Sequence, residues 1–76
     1  MSAWVIKMLV KGVLEYNSSG SRSVSVQHVI RAANRLGNNE ITASMVDSYI
    51  RLHFVYERCD VDTEGLSVYS HLVKKV

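Results

Sequence analysis

A chain of 76 residues can form one small domain but not two. Hydrophobic residues make up 47% of it, charged residues 21%, and proline is absent, a balance that excludes an intrinsically disordered chain. The net charge of +2 permits binding to nucleic acid without requiring it, and no apolar run is long enough to cross a bilayer.

A first helix is predicted over residues 3–17, and it is more apolar than a helix with one buried face. Its polar positions, Lys7, Lys11 and Glu15, are four residues apart and so form one narrow ridge. Apolar side chains cover nearly all of the remaining circumference, which is more than one antiparallel neighbour can bury. The helix is therefore either central in a three-helix core or shared with a partner. Because charged residues interrupt it and no small-residue cleavage site follows, we do not expect a secretory leader.

The beginning of this helix is the candidate partner-binding surface. Trp4 and Met8 lie near a free end, where cover from the rest of a small core is thinnest, and Lys7 and Lys11 lie beside them. Exposed aromatic and methionine side chains contribute strongly at protein contacts. We expect these residues to contact another chain, either a second copy or a larger protein.

A surface turn and a second helix are predicted next. Residues 17–23, NSSGSRS, are rich in serine and contain glycine, which favours a turn over a helix. The second helix is predicted from Ser25 to Leu36, with Gly37 ending it. The connection that follows has only a few residues, and that length favours a helix-turn-helix arrangement.

The third helix is predicted over residues 38–60, as the longest helix and the one against which the other two pack. Thr42 is placed to cap its first turn, and Ile41 and Val46 have the spacing of a hydrophobic staple. Its apolar residues follow the three-and-four spacing of a helix with one buried face. The opposite face consists of Ser44, Asp47, Ser48 and Arg51.

Two structures are compatible with the C-terminal part of the chain. Apolar residues from Leu66 onward fit a short fourth helix, with Lys74 and Lys75 at the end where they complement the helix dipole. The alternative is a two-stranded wing over residues 54–72. We favour the helix, so the predicted fold is a single all-α or nearly all-α domain, residues 1–76, with a helix-turn-helix core.

No catalytic, metal or cofactor site is predicted. The residues His28, His53, His71 and Cys59 lack the close spacing of a zinc or haem site, and no nucleophile has an adjacent base. The acidic residues after position 59 begin like a calcium loop, but the twelfth position holds His71 instead of an acid. We therefore expect a protein that is not an enzyme and has no small-molecule substrate. A single cysteine fits a reducing compartment, cytoplasmic or nuclear.

The order of segments resembles the winged-helix and helix-turn-helix group. Within that group, WVIKMLVKGVLEYNSSG and EITASMVDSYIRLHFVYERCD resemble the leucine-rich first helix and the capped, tyrosine-containing third helix of the MRG-binding subunits of NuA4-type histone acetyltransferase complexes. This resemblance, over about residues 4–66, implies a non-catalytic scaffold subunit of a chromatin complex.

The charge distribution favours a protein partner over DNA. Residues 56–64 hold four acidic groups and one basic group, which would place negative charge on any wing. The residues that would read or approach DNA are on or before the third helix: Arg51, Ser44, Ser48, Asn38 and Asn39. We therefore predict a protein-interaction module, with a DNA-binding regulator as the alternative.

Overall fold

The chain contains three helices and a long β-hairpin over the residues that the computed structural model describes, 3–16 and 22–75. Most of the turn predicted at residues 17–23 lies outside this part of the chain. The helices are Ala3–Tyr16 (α1), Val26–Arg35 (α2) and Ala43–His53 (α3). The strands are Ser23–Ser25 (β1), Phe54–Val55 (β2), Arg58–Val61 (β3), Ser67–Ser70 (β4) and Val73–Lys74 (β5).

The all-α prediction is wrong, because the segment after α3 forms strands and no C-terminal fourth helix is present among the described residues. The central strand β4 pairs with β1 on one side and β3 on the other, in the order β1-β4-β3. Its backbone hydrogen bonds are thus satisfied by two neighbours, and its sequence SVYS has weak helix propensity. Pairing within the sheet outweighs the apolar spacing that suggested a helix.

The third helix begins at Ala43, directly after the predicted cap but five residues later than the predicted bound, and it ends seven residues early. Thr42 Oγ1 accepts a hydrogen bond from the Met45 amide at 3.3 Å, which confirms the predicted cap. The helix then covers 11 residues instead of extending to residue 60, and α1, with 14, is longer. Phe54 takes up an extended conformation and begins the hairpin. The aromatic and β-branched residues Phe54 and Val55 favour that change.

The hairpin extends from Phe54 to Lys74 in one register. Phe54 faces Lys74 at the open end, and Val61 faces Ser67 near the turn, although pairing is interrupted between β2 and β3. Asp62 organises the turn, because its Oδ1 accepts hydrogen bonds from the Glu64 and Leu66 amides at 2.8 and 3.0 Å. Gly65 there has a φ of +81°, a conformation that glycine adopts without strain.

One apolar core lies between the helices and the sheet. Tyr69 is the largest fully buried side chain, and it enters the core from β4. The buried apolar residues are Ile6, Leu9, Val10, Leu14, Val24, Val26, Val29, Ala33, Ile41, Val46, Ile50, Tyr69 and Leu72. Only one side of α1 belongs to this set, so the core leaves the other side of that helix uncovered.

Candidate partner-binding groove

The uncovered side of α1 has two parallel rows of side chains. Trp4, Met8 and Gly12 are four residues apart and form one row, and Lys7 and Lys11 form the row beside it. Trp4 and Met8 are each 60% exposed, and both lysines are exposed. The structure thus brings together on one surface the four residues that the sequence assigned to partner binding.

A groove of about 510 Å³ lies between α1 and α2, next to these rows. Its apolar lining comes from both helices and includes Met8, Leu9, Val13 and Ala32. Gly12 also lines it, and a Cβ atom built on Gly12 would meet nothing within 4 Å. The groove is therefore an open apolar channel in which one helix backbone is accessible.

Three basic side chains from α2 form what we call the basic rim of the groove: His28, Arg31 and Arg35. Arg31 makes an exposed ion pair with Glu64 of the hairpin turn, at 3.7 Å between Nη2 and Oε1. Exposed pairs of this kind are weak and can exchange partners. Arg31 and Arg35 thus place positive charge along the α2 side of an apolar floor, while Lys7 and Lys11 are exposed on α1 outside the groove lining.

The contribution of α2 to this groove is not evident from the sequence. His28, Arg31 and Arg35 are three and four residues apart, so they share one face of α2. That spacing is visible in the sequence, but by itself it indicates only a face in contact with water. What the sequence does not show is that this face lies beside α1.

The residues proposed for DNA reading lie on a different surface. Ser44, Ser48 and Arg51 are on α3, and Asn39 is exposed in the connection before it. Asn38 is half-buried, and its Oδ1 accepts a hydrogen bond from the Glu40 amide at 2.9 Å. These residues do not form a groove with the basic rim.

Arg51 also takes part in a network that connects α3 to β4. The Tyr69 hydroxyl donates a hydrogen bond to Asp47 Oδ1 at 2.6 Å and accepts one from Arg51 Nε at 3.3 Å. The Tyr56 ring meets the Tyr69 ring edge-on, with centroids 4.7 Å apart. Two residues of the polar face of α3, Asp47 and Arg51, therefore form hydrogen bonds to the hairpin.

Burial, followed by the hydrogen bond to Asp47, raises the pKa of the Tyr69 phenol above its ordinary value of 10.0. Because the folded state favours the neutral phenol, the stabilisation is complete below pH 10.0 and is lost as the pH rises through the folded-state pKa.

We expect urea titrations to show that the free energy of unfolding falls as the pH rises above 10.0. The loss should be larger in the wild type than in Tyr69→Phe, which retains every other titrating group. An equal alkaline loss in both proteins would contradict this assignment.

The described residues offer no alternative site of metal or membrane type. In residues 3–16 and 22–75, no group of three or more histidine, cysteine, aspartate or glutamate side chains is placed to hold a metal ion. Over the same residues, no helix has both the length and the apolar character that a membrane span requires. Comparison of the chain with protein-family models, curated proteins and solved structures found no match.

Proposed function

We propose that this chain is a non-catalytic protein-interaction module that binds another protein chain along the α1–α2 groove. The observation that carries the proposal is the apolar groove beside an exposed tryptophan and an exposed methionine. A small protein gains nothing in its own stability from leaving such side chains in water. Large apolar side chains beside a groove are the usual anchors of a protein interface.

DNA binding through α3 has less support. In a winged-helix arrangement, α3 would enter the DNA groove and the hairpin turn would approach phosphates. Here that turn holds Asp62 and Glu64, and Asp60 is exposed on the adjoining strand, so its charge would repel DNA. The resemblance to MRG-binding subunits, and with it a partner in a chromatin complex and a cytoplasmic or nuclear location, stays a prediction.

The proposal is tested by comparing one variant on each surface. Met8→Glu changes an exposed groove residue, and Arg51→Ala removes the strongest candidate for DNA reading. We expect Met8→Glu to abolish quantitative capture of partner chains from extracts of the source cells, and Arg51→Ala to leave it unchanged. Thermal unfolding monitored by circular dichroism verifies that both variants fold.

Two results would overturn the proposal. One is equal capture of the same partners by the wild type and Met8→Glu. The other is salt-dependent binding of a duplex DNA at about micromolar affinity, lost in Arg51→Ala and retained in Met8→Glu. Sedimentation equilibrium of the wild-type chain shows whether the bound chain is a second copy.

Trp4 should be dispensable for folding. Because its side chain is 60% exposed, we expect Trp4→Ala to change the free energy of unfolding by less than about 0.5 kcal/mol. The fluorescence of the isolated wild type should have the red emission maximum of a hydrated indole. A blue emission maximum together with gross destabilisation of Trp4→Ala would place this residue in the core.

A further inference from the structure

We infer that the partner is an acidic amphipathic helix that lies in the α1–α2 groove and crosses α1 closely at Gly12. This inference rests on the proposed function and adds the chemistry of the occupant. Three features of the groove support it: its shape, its charge and its glycine.

The shape of the groove fits a helix. Its walls are two packed helices, and Met8 and Gly12 follow each other along α1 at four-residue spacing. Rows at this spacing form the ridges and grooves into which a neighbouring helix packs. A third helix laid there would cover Met8 and the apolar floor with its own apolar stripe, as in helix-in-groove recognition.

The charge around the groove selects an acidic helix. The basic rim of His28, Arg31 and Arg35 lies on the α2 wall, and Lys11, adjacent to Gly12 in the chain, is exposed on α1 beyond the groove lining. Among the residues whose side chains the structure describes, 4–14 and 22–75, no acidic one lines the groove, and Glu64, which pairs with Arg31, lies outside the lining. A helix with glutamate or aspartate on both sides of its apolar stripe would meet complementary charge from Arg35 on the α2 wall and from Lys11 beyond the α1 wall, whereas a basic helix would be repelled.

Gly12 indicates where the two backbones come closest. Glycine inside a helix is less stable than alanine, and here no neighbouring atom within 4 Å requires its small size. Within the described part of the chain, the fold would therefore accept the Cβ atom of a larger residue at this position. The absent side chain leaves room for a partner backbone, which is how small residues act at close helix crossings.

Stapled helical peptides labelled with fluorescein test the inference by fluorescence anisotropy. The probe carries a leucine stripe flanked by glutamates, and a second peptide carries the same stripe flanked by lysines. We expect the 76-residue wild-type chain to bind the acidic peptide about tenfold more tightly than the basic one, with affinity falling as salt rises. Lys11→Glu/Arg35→Glu should remove or reverse the preference. The matched control, Arg58→Glu/Lys74→Glu, makes the same charge change on strands away from the groove and should preserve it.

Substitution of Gly12 tests the crossing point. Because the site is open, Gly12→Leu should fold and unfold at a temperature at least as high as the wild type, yet bind the acidic peptide at least about tenfold more weakly. Unchanged binding by Gly12→Leu would refute the close crossing.

The remaining outcomes separate this inference from the proposed function. Equal binding of both peptides would refute an acidic partner and leave groove docking standing. Binding of neither peptide would overturn the inference, while the proposed function is decided by the capture experiment with Met8→Glu. Self-association of the wild type that Gly12→Leu abolishes would make a second copy the occupant, and would likewise overturn it.

Discussion

Replacing Tyr69 by alanine should lower the free energy of unfolding by about 3 to 5 kcal/mol, a large fraction of the total stability of so small a domain. The side chain is 0% exposed and fills the space between the sheet and the helices. Alanine would leave a cavity there, and it would also deprive Asp47 of its hydroxyl donor. Urea unfolding followed by circular dichroism measures the loss.

Tyr69→Phe is the matched control, because it retains the ring and removes only the hydroxyl. We expect it to cost about 1.5 to 3 kcal/mol, the range for a hydrogen bond to a charged group. If Tyr69→Ala were no more destabilising than Tyr69→Phe, the ring would not be a part of the core.

The second large effect is expected at Ile50, in the second half of α3. Ile50 is 0% exposed, and its truncation to alanine should cost about 2 to 5 kcal/mol. Leu52, two residues further along the same helix, is 69% exposed, and Leu52→Ala should cost less than about 0.5 kcal/mol. The two variants remove similar apolar side chains from one helix, so their difference in urea midpoint isolates burial from helix propensity. Equal losses would show that the rotation of α3 is wrong.

The parts of the fold that local sequence determines were predictable. The helices α1 and α2 occur within a residue or so of their predicted bounds, and Thr42 caps α3 as expected. A capping side chain and the apolar spacing on a helix act over a few residues, so both are visible without the fold.

The hairpin was not predictable with the same certainty, because its stability depends on distant residues. Tyr56 fits the helical spacing of α3 and also the alternation of a strand, so periodicity alone could not end the helix at His53. The helix ends at His53 because residues 54–61 pair with residues 67–74, in a hairpin that buries Tyr69. The sequence TEG after Asp62 is a local turn signal, but it indicates a hairpin only when the segments on both sides of it are strands.

One of the two helices that form the candidate site, α1, was predictable from the sequence as a binding surface, and the contribution of α2 was not. The exposed face of α1 follows from its excess of apolar residues, and that excess points to Trp4 and Met8. The groove needs the second wall, and the basic rim belongs to it only because α2 packs beside α1. Helix periodicity shows which face of a helix carries a residue, but it does not show which other helix packs beside that face.

The pairing of β1 with β4 has a consequence for how the chain acquires its structure. Val24 and Tyr69 face each other across these strands although they are 45 positions apart in the chain. Closing so long a segment costs conformational entropy before the buried contacts compensate for it, which slows folding relative to a purely helical bundle. During synthesis, the three helices must wait for β4 to leave the ribosome before the core can close. Until then the apolar side of α1 and the groove beside it are exposed together, and a partner already present could bind the nascent chain and act as a folding template.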